Sequence, residues 1–428
     1  MNGTAVRRTL SRGDVVAAVP LAPGFPCWLP HGTSLVDRVE EIVRASVDAH
    51  AARLGMDPFL DLDVELAFAA QPYCRQISET LEYRNMYALQ GGPHLGLSDG
   101  EHLVRPDNVL SATRFLRGRA RPTGVICAGS LWRADTQRMA PAVRDRHMWQ
   151  AVELLAAVPH GSDAGPGVPA LLHAMWQVLG DVADAIGLPQ IYYASPGLRD
   201  HSDRCLLSLS VPTPETLTLT STLFLLSRAM SDRFGIGATL VDLGFTAKLL
   251  ALALIATEDR HGLLLTSALA PDQVVVVPAR AEDEPRAHAV AAALRRHLDR
   301  VRVDTEAWST VLRTQRRRGT PALVLVDGAG RDKLVLRHTQ LSVDLAADPA
   351  AQVRDALVAS DADLRARSRA VLDAALRDEQ VVALAEPERP VPDGWYRLGH
   401  LCGIGGVPSD VDPPADAPQV LARVRRLY

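Results

Sequence analysis

The chain has 428 residues, of which 46 are Lys or Arg and 50 are Asp or Glu, giving a formal net charge of −4. This length predicts two or three domains of roughly 100–200 residues each. Hydrophobic residues make up 47 % and charged residues 22 % of the chain, which excludes a disordered protein. The small net charge provides no overall attraction to nucleic acid, so an RNA contact would require a local basic patch.

The cysteines and the apolar segments help to predict where in the cell the protein is located. Five cysteines occur singly, with no CxxC pair, which argues against a zinc cluster and a disulfide scaffold and fits a reducing cytoplasm. The longest apolar stretch, residues 249–255, is far shorter than the roughly 20 residues of a membrane helix. The N-terminal apolar run is short and broken by prolines, unlike a signal peptide. We therefore expect a soluble cytoplasmic protein without a membrane partner.

Hydrophobic periodicity predicts the first elements. An amphipathic helix is predicted over residues 33–52, with Thr33 or Ser34 as its cap. Its apolar stripe comprises Leu35, Val36, Val39, Ile42, Val43 and Val47. Farther along, residues 102–155 indicate a strand, a polar loop and a second strand, residues 169–186 a helix, and residues 204–219 strands.

The pattern is clearest after residue 272. The segments DQVVVVP, PRAHAVAAALRRHL, RVRVD, WSTVLRTQRRR and PALVLVD alternate between strand and helix, which is typical of a small α/β domain. A helix over residues 361–377 follows. We predict domains at residues 1–272 and 273–378, and a small C-terminal appendage, rich in Pro, Gly and Asp, at 379–428.

The segment WRADTQRMAPAVRDR, residues 132–146, carries the most informative chemistry. Arg133 and Asp135 stand at a predicted strand end, and Arg144 and Arg146 stand on the returning strand. A triphosphate requires such an arrangement: a fixed guanidinium for the α-phosphate, a carboxylate near the adenine or ribose, and further cations for the other phosphates. The spacing alone leaves open a basic surface hairpin.

This segment resembles motif 2 of class II aminoacyl-tRNA synthetases, in the form found in prolyl-tRNA synthetase of the archaeal and eukaryotic type. That form reads R-x-E, a loop with proline, and R-x-R. Arg133, Pro141, Arg144 and Arg146 match it without a gap, and Asp135 replaces the glutamate.

Three further segments resemble the same family in the expected order. Residues 29–44 are similar to the motif 1 helix, HLVRPDN at 102–108 to the "LRPTSE" segment, and residues 244–278 to motif 3 and the junction that follows it. The resemblance covers about residues 25–380. It implies an α+β catalytic domain, with an antiparallel sheet flanked by helices, followed by an α/β anticodon-binding-type domain. It also implies a homodimer, because motif 1 forms the family's interface.

The resemblance implies ATP and Mg²⁺ as cofactors and an aminoacyl-adenylate as the intermediate. It assigns catalytic roles to Arg133 and Lys248, and ATP contacts to Arg133, Asp135, Arg144, Arg146 and Lys248. Lys248 stands where the family has an arginine over the adenine. Lysine supplies the charge but not the planar guanidinium, and a solvated helix residue is the alternative interpretation.

The amino-acid pocket departs from the prolyl pattern. The prolyl-specific T-x-E triad is replaced by DNV at residues 107–109, where Asp107 either binds an ammonium or forms a turn. Trp149 and Gln150 match the family's pocket, and Glu153 falls on a histidine position. Glu153 would suit a cationic or amine-bearing substrate, or it pairs with a nearby arginine. We predict Asp107, Trp149, Gln150 and Glu153 as substrate-binding residues.

The C-terminal unit lacks the zinc-binding cysteines of the archaeal type. It offers Cys402 and His400, fewer than the four ligands of a structural zinc site, so we predict no metal there.

These features lead to two hypotheses. The first is a specialised prolyl-tRNA synthetase-like ligase that activates an amino acid and passes it to tRNA, a carrier protein or a small metabolite. The alternative is a catalytically inactive relative that binds or senses tRNA or an amino acid.

Overall fold

The computed structural model describes residues 3–20, 22–64, 67–69, 87, 102–133, 142–143, 145–161, 165–196, 202–213, 216–226, 228–233, 235–328, 330–346, 348–406 and 413–423. Its helices are α1 (Gly3–Arg12), α2 (Pro30–Arg53), α3 (Val109–Leu116), α4 (Val168–Ala185), α5 (Arg228–Arg233), α6 (Ala247–Thr257), α7 (Glu284–Arg295), α8 (Trp308–Arg318) and α9 (Pro349–Asp378). Its first strands are β1 (Leu60–Asp61), β2 (Ala67–Ala69), β3 (His102–Val104), β4 (Thr123–Trp132), β5 (His147–Pro159), β6 (Ile191–Pro196), β7 (Ser202–Thr213), β8 (Thr216–Leu226) and β9 (Ala238–Phe245). The later strands are β10 (Val274–Pro278), β11 (Val301–Val303), β12 (Ala322–Val326), β13 (Lys333–Leu336), β14 (Ser342–Asp344), β15 (Val382–Ala385), β16 (Tyr396–Ile404) and β17 (Gln419–Ala422).

A ten-stranded sheet is the centre of the larger part of the molecule. Its order is β1-β4-β5-β9-β8-β7-β6-β16-β17-β15. Every neighbouring pair is antiparallel except β1 and β4. The predicted antiparallel sheet flanked by helices is confirmed.

Alternate residues of β5 and β9 face two different cores, as the period of a strand requires. On one face, Val152, Leu154 and Ala156 join the core that includes α2, α4 and α6. On the other, Leu155 and Ala157 pack with residues of α3. Helix α3 therefore covers the same face of the sheet as Glu153, which lies two residues before Leu155 on the strand.

Helix α2 carries the predicted stripe but begins earlier than predicted. Of the six stripe residues, Leu35, Val36, Val39, Val43 and Val47 are buried and Ile42 is half-buried. The helix starts at Pro30 with Leu29 as its N-cap, because proline suits the first helical position, where no N–H is needed. The predicted caps lie inside the helix instead: the hydroxyl of Thr33 donates to Leu29 O (3.1 Å) and that of Ser34 to Pro30 O (3.0 Å).

The smaller sheet confirms the predicted α/β pattern. Its order is β11-β10-β12-β13-β14, with β11, β10 and β12 parallel and the last two pairings antiparallel. Helix α9 is longer than predicted, since it begins at Pro349 rather than at residue 361. Asp348 caps it by accepting from Ala351 N at 3.2 Å.

The C-terminal strands extend the large sheet. Strand β16 pairs with β6, and β17 joins β16 to β15. The boundaries at 1–272, 273–378 and 379–428 stay a prediction. Within the described ranges, none of the helices combines the length and the apolar character needed to cross a bilayer.

A buried ion pair ties the smaller sheet to the segment after α6. The Nη1 and Nη2 groups of Arg337 donate to the two carboxylate oxygens of Asp259 at 2.8 and 2.7 Å, and Arg337 Nε donates to Arg316 O at 2.7 Å. Burial alone would raise the pKa of Asp259, but the hydrogen bonds from Arg337 and from the His261 and Gly262 amides lower it to about 2. The Arg337 side chain is only 2 % exposed, so Asp259 neutralises a charge that water cannot reach.

We predict that Asp259→Asn destabilises the fold by about 3–5 kcal/mol at pH 7, because it leaves Arg337 buried without a counter-ion. The lowered pKa of Asp259 means that its contribution is present above about pH 4 and is lost as the pH falls towards 2. Denaturant unfolding at a series of pH values should therefore show the gap from wild type closing in that window. Asp355→Asn, which removes an exposed pair with Arg354, is the control and should change stability by about 0.5 kcal/mol or less. Equal effects of the two substitutions would contradict this account.

Candidate active site

The pairing of β5 with β9 brings two acidic side chains together. In this register Glu153 lies opposite Gly244 and Leu155 opposite Asp242. Glu153 and Asp242 are therefore diagonal neighbours on one face of the sheet, a spacing over which side chains interact. Both are buried, each 8 % exposed.

A third acid reaches this cluster from the turn before α3. Asp107 is 4 % exposed and Asn108 is fully buried. The Asn108 amide donates to Glu153 Oε2 at 2.7 Å, and the Val109 amide donates to Asp107 Oδ1 at 3.0 Å. The N-terminus of α3 thus points its backbone donors at the carboxylates, which favours negative charge there. We call Asp107, Glu153 and Asp242 the acidic cluster.

Burial raises the pKa of each carboxyl group in the acidic cluster. Burial and the neighbouring charge of Glu153 raise the pKa of Asp107 to about 8. Burial, followed by the charges of Glu153 and Asp107, raises the pKa of Asp242 well above its ordinary value. Burial also raises the pKa of Glu153, but hydrogen bonds from Asn108 and Asp242 and the charge of Arg133 counteract this. Burial and mutual repulsion therefore favour protons on Asp107 and Asp242, whereas the Asn108 amide and the charge of Arg133 favour negative charge on Glu153.

Three polar atoms around the acidic cluster have no hydrogen-bond partner among the described residues. They are Asp107 Oδ2, Asn108 Oδ1 and Asp242 Oδ1. Buried polar atoms are rarely left unpaired in folded proteins, because each loses its hydration without compensation. Asn108 Oδ1 and Asp242 Oδ1 can accept from a ligand that supplies N–H groups, and Asp107 Oδ2 can do so once it gives up its proton.

Arg133, at the end of β4, lies beside the acidic cluster. Its Nε donates to Pro106 O at 3.1 Å, and its backbone N donates to Arg146 O at 2.9 Å. Its positive charge lowers the pKa of all three cluster carboxyls. Arg133 and the three carboxyl groups therefore lie in one region.

Aromatic rings stand next to Arg133 on the same pair of strands. Trp132 and His147 are stacked, with ring centroids 4.0 Å apart, and Phe25 lies 6.0 Å from Trp132. The backbone amides of Arg146 and His147 both donate to Gly24 O, at 2.9 and 3.1 Å. The segment around Gly24 is thereby fixed against the ends of β4 and β5.

Lys248 lies in the first turn of α6. The hydroxyl of Thr246 caps this helix by accepting from Lys248 N at 3.3 Å. Since Phe245 pairs with Val152, Lys248 follows β9 at the end of the sheet that carries Glu153. Its side chain is half-buried.

The structure brings together Asp107, Glu153 and Arg133 of the predicted site residues. Asp135 and Arg144 lie outside the described residues, and so do the side chains of Trp149 and Gln150, whose backbone belongs to β5. The roles of all these residues stay predictions.

The interpretations left open for Asp107 and for Glu153 can each be compared with the observed contacts. Asp107 forms a turn through Oδ1, while its Oδ2 stays unpaired. Glu153 is held chiefly by Asn108 and Asp242, and Arg133 contributes its charge.

Asp242 was missed in the sequence. It is the one acid in the strand ATLVDLGF, whose other residues are apolar or small apart from one threonine. A lone carboxyl inside a buried strand needs a partner, and that signal could have identified it.

No group of three or more His, Cys, Asp or Glu side chains is placed to hold a metal ion within the residues that the structure describes. In the C-terminal strands the His400 ring contacts Gln419 Nε2 at 2.8 Å instead.

We predict that Asp242→Asn stabilises the protein at high pH. Because the pKa of Asp242 is raised in the folded state, folding carries no ionisation cost below about pH 4. The cost grows as the pH rises and the unfolded chain releases this proton. Thermal unfolding at pH 9 should favour the variant by about 1.4 kcal/mol for each unit by which folding raises the pKa of Asp242, and the advantage should shrink towards pH 5. The exposed control Asp48→Asn should show no such trend, and a pH-independent difference for Asp242→Asn would refute the assignment.

Comparison with known proteins identifies the fold. No protein-family model matches the sequence, and no curated protein sequence matches it. Among solved structures, prolyl-tRNA synthetase of Giardia lamblia in complex with prolyl-adenylate matches with a TM-score of 0.74 and 16 % sequence identity. The match covers 99 % of this chain and 97 % of that chain. The protein therefore has the fold of a class II aminoacyl-tRNA synthetase.

Proposed function

We propose that the protein activates an amino acid with ATP and forms an aminoacyl-adenylate. The observation that carries this proposal is the position of Arg133 beside a buried acidic cluster in a class II synthetase fold. A guanidinium next to a group of carboxyls can hold the two reacting ends together: the α-phosphate of ATP and an amino acid whose amine is bound by acids.

In the proposed reaction a carboxylate oxygen of the amino acid attacks the α-phosphorus of ATP. The bond from that phosphorus to the β-phosphate oxygen breaks, and pyrophosphate leaves. The step needs no protein nucleophile, because positioning and charge stabilisation carry such transfers. Arg133 would hold the α-phosphate oxygens, with Lys248 near the adenine and the γ-phosphate. Mg²⁺ would accompany the ATP phosphates, which supply most of its ligands.

Asp135, Arg144 and Arg146 complete the proposed ATP contacts, Asp107 is assigned to the α-amine of the substrate, and Glu153 is assigned to the substrate pocket. Trp149 and Gln150 complete the substrate pocket. The activated amino acid would pass to tRNA, a carrier protein or a small metabolite, as in a specialised relative of prolyl-tRNA synthetase. A cytoplasmic homodimer is the proposed form.

A second candidate is a protein that binds ATP or an amino acid without catalysis. The observation that favours it is the pair of replacements at Lys248 and Val109, which stand where the family has an arginine and a glutamate.

We predict amino-acid-dependent exchange of labelled pyrophosphate into ATP, lost in Arg133→Ala. Removal of one preorganised donor to a transferring group typically costs about 10²–10³ in rate. The assay is run with each amino acid in turn. Arg331→Ala is the matched control, because Arg331 is an exposed arginine of the smaller sheet that pairs with Asp327, and it should leave exchange intact.

Silence with every amino acid, together with retained ATP binding, would favour the non-catalytic candidate. Exchange that survives Arg133→Ala unchanged would show that the α-phosphate position is wrong.

We predict that Lys248→Arg improves ATP use. A guanidinium can stack on the adenine, and such contacts are worth about 0.5–1 kcal/mol at exposed sites and more when desolvated. The KM for ATP should therefore fall about two- to tenfold, and it should rise in Lys248→Ala. The KM for the amino acid serves as the internal control. A KM for ATP that both substitutions leave unchanged would remove Lys248 from the ATP site.

A further inference from the structure

The acidic cluster contains more carboxyl groups than are needed to bind one α-ammonium. Three carboxyl groups, Asp107, Glu153 and Asp242, share one buried region, whereas an α-ammonium carries a single charge. The nearby Arg133 balances the one ionised member, Glu153. If Arg133 turns its charge to the α-phosphate of ATP, Glu153 needs another cation, and the two protonated acids can each ionise against more positive charge.

Two observations outside the acids point to a ligand at this position. Asn108 is fully buried beside Glu153, and its Oδ1 has no partner among the described residues. Gly244, which faces Glu153 across the strand pair, leaves room: a Cβ built there would meet no atom of the described residues within 4 Å. Open space beside unpaired acceptors can receive a group that donates hydrogen bonds.

The three carboxyl groups of the acidic cluster occupy two different places. Asp107 lies in the turn before α3 and reaches the cluster from above the sheet surface. Glu153 and Asp242 lie on the sheet itself, next to Gly244, and share a hydrogen bond. Asp107 suits the α-amine, as in the proposed function, which leaves Glu153 and Asp242 for another part of the substrate.

We propose that Glu153 and Asp242, with the space at Gly244, bind a second ammonium on the side chain of the substrate. The substrate class is then an amino acid with a cationic side chain, such as a diamino acid. This inference rests on the proposed function for its substrate, but the binding it describes requires no catalysis.

Binding at this subsite is coupled to one proton. The side-chain ammonium enters with its charge, Asp242 gives up its proton to solvent, and the resulting pair of carboxylates faces the cation. The charged and titratable groups around Asp242 are Glu153 on β5, Asp107 before α3, Arg133 at the end of β4 and Cys127 on β4. No covalent bond changes.

The test is isothermal titration calorimetry on the full chain at pH 7. The probes are lysine, ornithine and 2,4-diaminobutyrate, each against its uncharged counterpart: norleucine, norvaline and 2-aminobutyrate. At least one diamino acid should bind tenfold or more tighter than its counterpart. Repeating the titration in buffers of different ionisation enthalpy should show that the diamino acid releases up to about one proton more than its uncharged counterpart.

Two variants and one control locate the effect. Asp242→Asn keeps the shape and a donor to Glu153. It should reduce the preference below threefold and abolish the extra proton release that distinguishes a diamino acid from its uncharged counterpart. Gly244→Val fills the open space without changing charge, and it should weaken binding of the preferred diamino acid at least tenfold. Asp48→Asn, on the exposed face of α2, should retain both the preference and the proton release.

Several results would overturn the subsite. One is that uncharged amino acids bind as tightly as the diamino acids. Another is that Asp242→Asn weakens the binding of both classes equally. A third is that Mg²⁺ or Ca²⁺ alone binds to the wild type and that Asp242→Asn removes this binding. Pyrophosphate exchange with uncharged amino acids only would overturn it and leave the proposed function standing. Preferential diamino-acid binding without exchange would support the subsite and remove the proposed function.

Discussion

The antiparallel pairing of β5 with β9 is the constraint on which the site depends. It places Gly244 opposite Glu153 and brings Asp242 to the diagonal position, so that two acids from distant parts of the chain share one proton-linked contact. It also directs the chain into α6, so that Lys248 follows at the same end of the sheet. A one-residue shift in register would turn Asp242 to the opposite face, into the core formed with α2 and α4. The apolar residues that flank both acids therefore fix the site as firmly as the acids do.

Helix α3 contributes the second half of this arrangement. Its apolar residues, such as Ala112 and Leu116, are buried against the sheet face that carries Leu155. That packing sets where the helix begins, and its first backbone donor then reaches Glu153. An anion deep in a protein is tolerated only where donors are already in place. The hydrophobic packing of α3 thus positions the backbone donor that favours negative charge on Glu153.

Local patterns predicted the three parallel strands of the smaller sheet, but they did not predict β13 and β14 or the site. The run VVVVP and the helical segment after it carry their own signals, because a buried parallel strand is apolar on both faces. The motif resemblance brought Asp107, Glu153 and Arg133 forward as site residues, and the structure places them together. Asp242 could not be found in this way, because its partner lies on another strand and strand register is not written in the residues near it. Hydrophobic periodicity places the start of α2 at residue 33, because the first turn from Pro30 carries none of the apolar stripe, whereas the motif 1 resemblance already begins at residue 29.

The charge balance of the acidic cluster connects ATP and amino-acid binding. Without ligands, the positive charge of Arg133 offsets negative charge on the buried acidic cluster. A triphosphate that engages Arg133 removes that compensation, and the acidic cluster then gains affinity for a cation. Each ligand would therefore favour the other through a shared arginine, with no change in backbone structure, and by linkage the effect must be equal in both directions. Arg133 would bind the α-phosphate during adenylate formation. When ATP is absent, Arg133 would offset the negative charge of the acidic cluster instead.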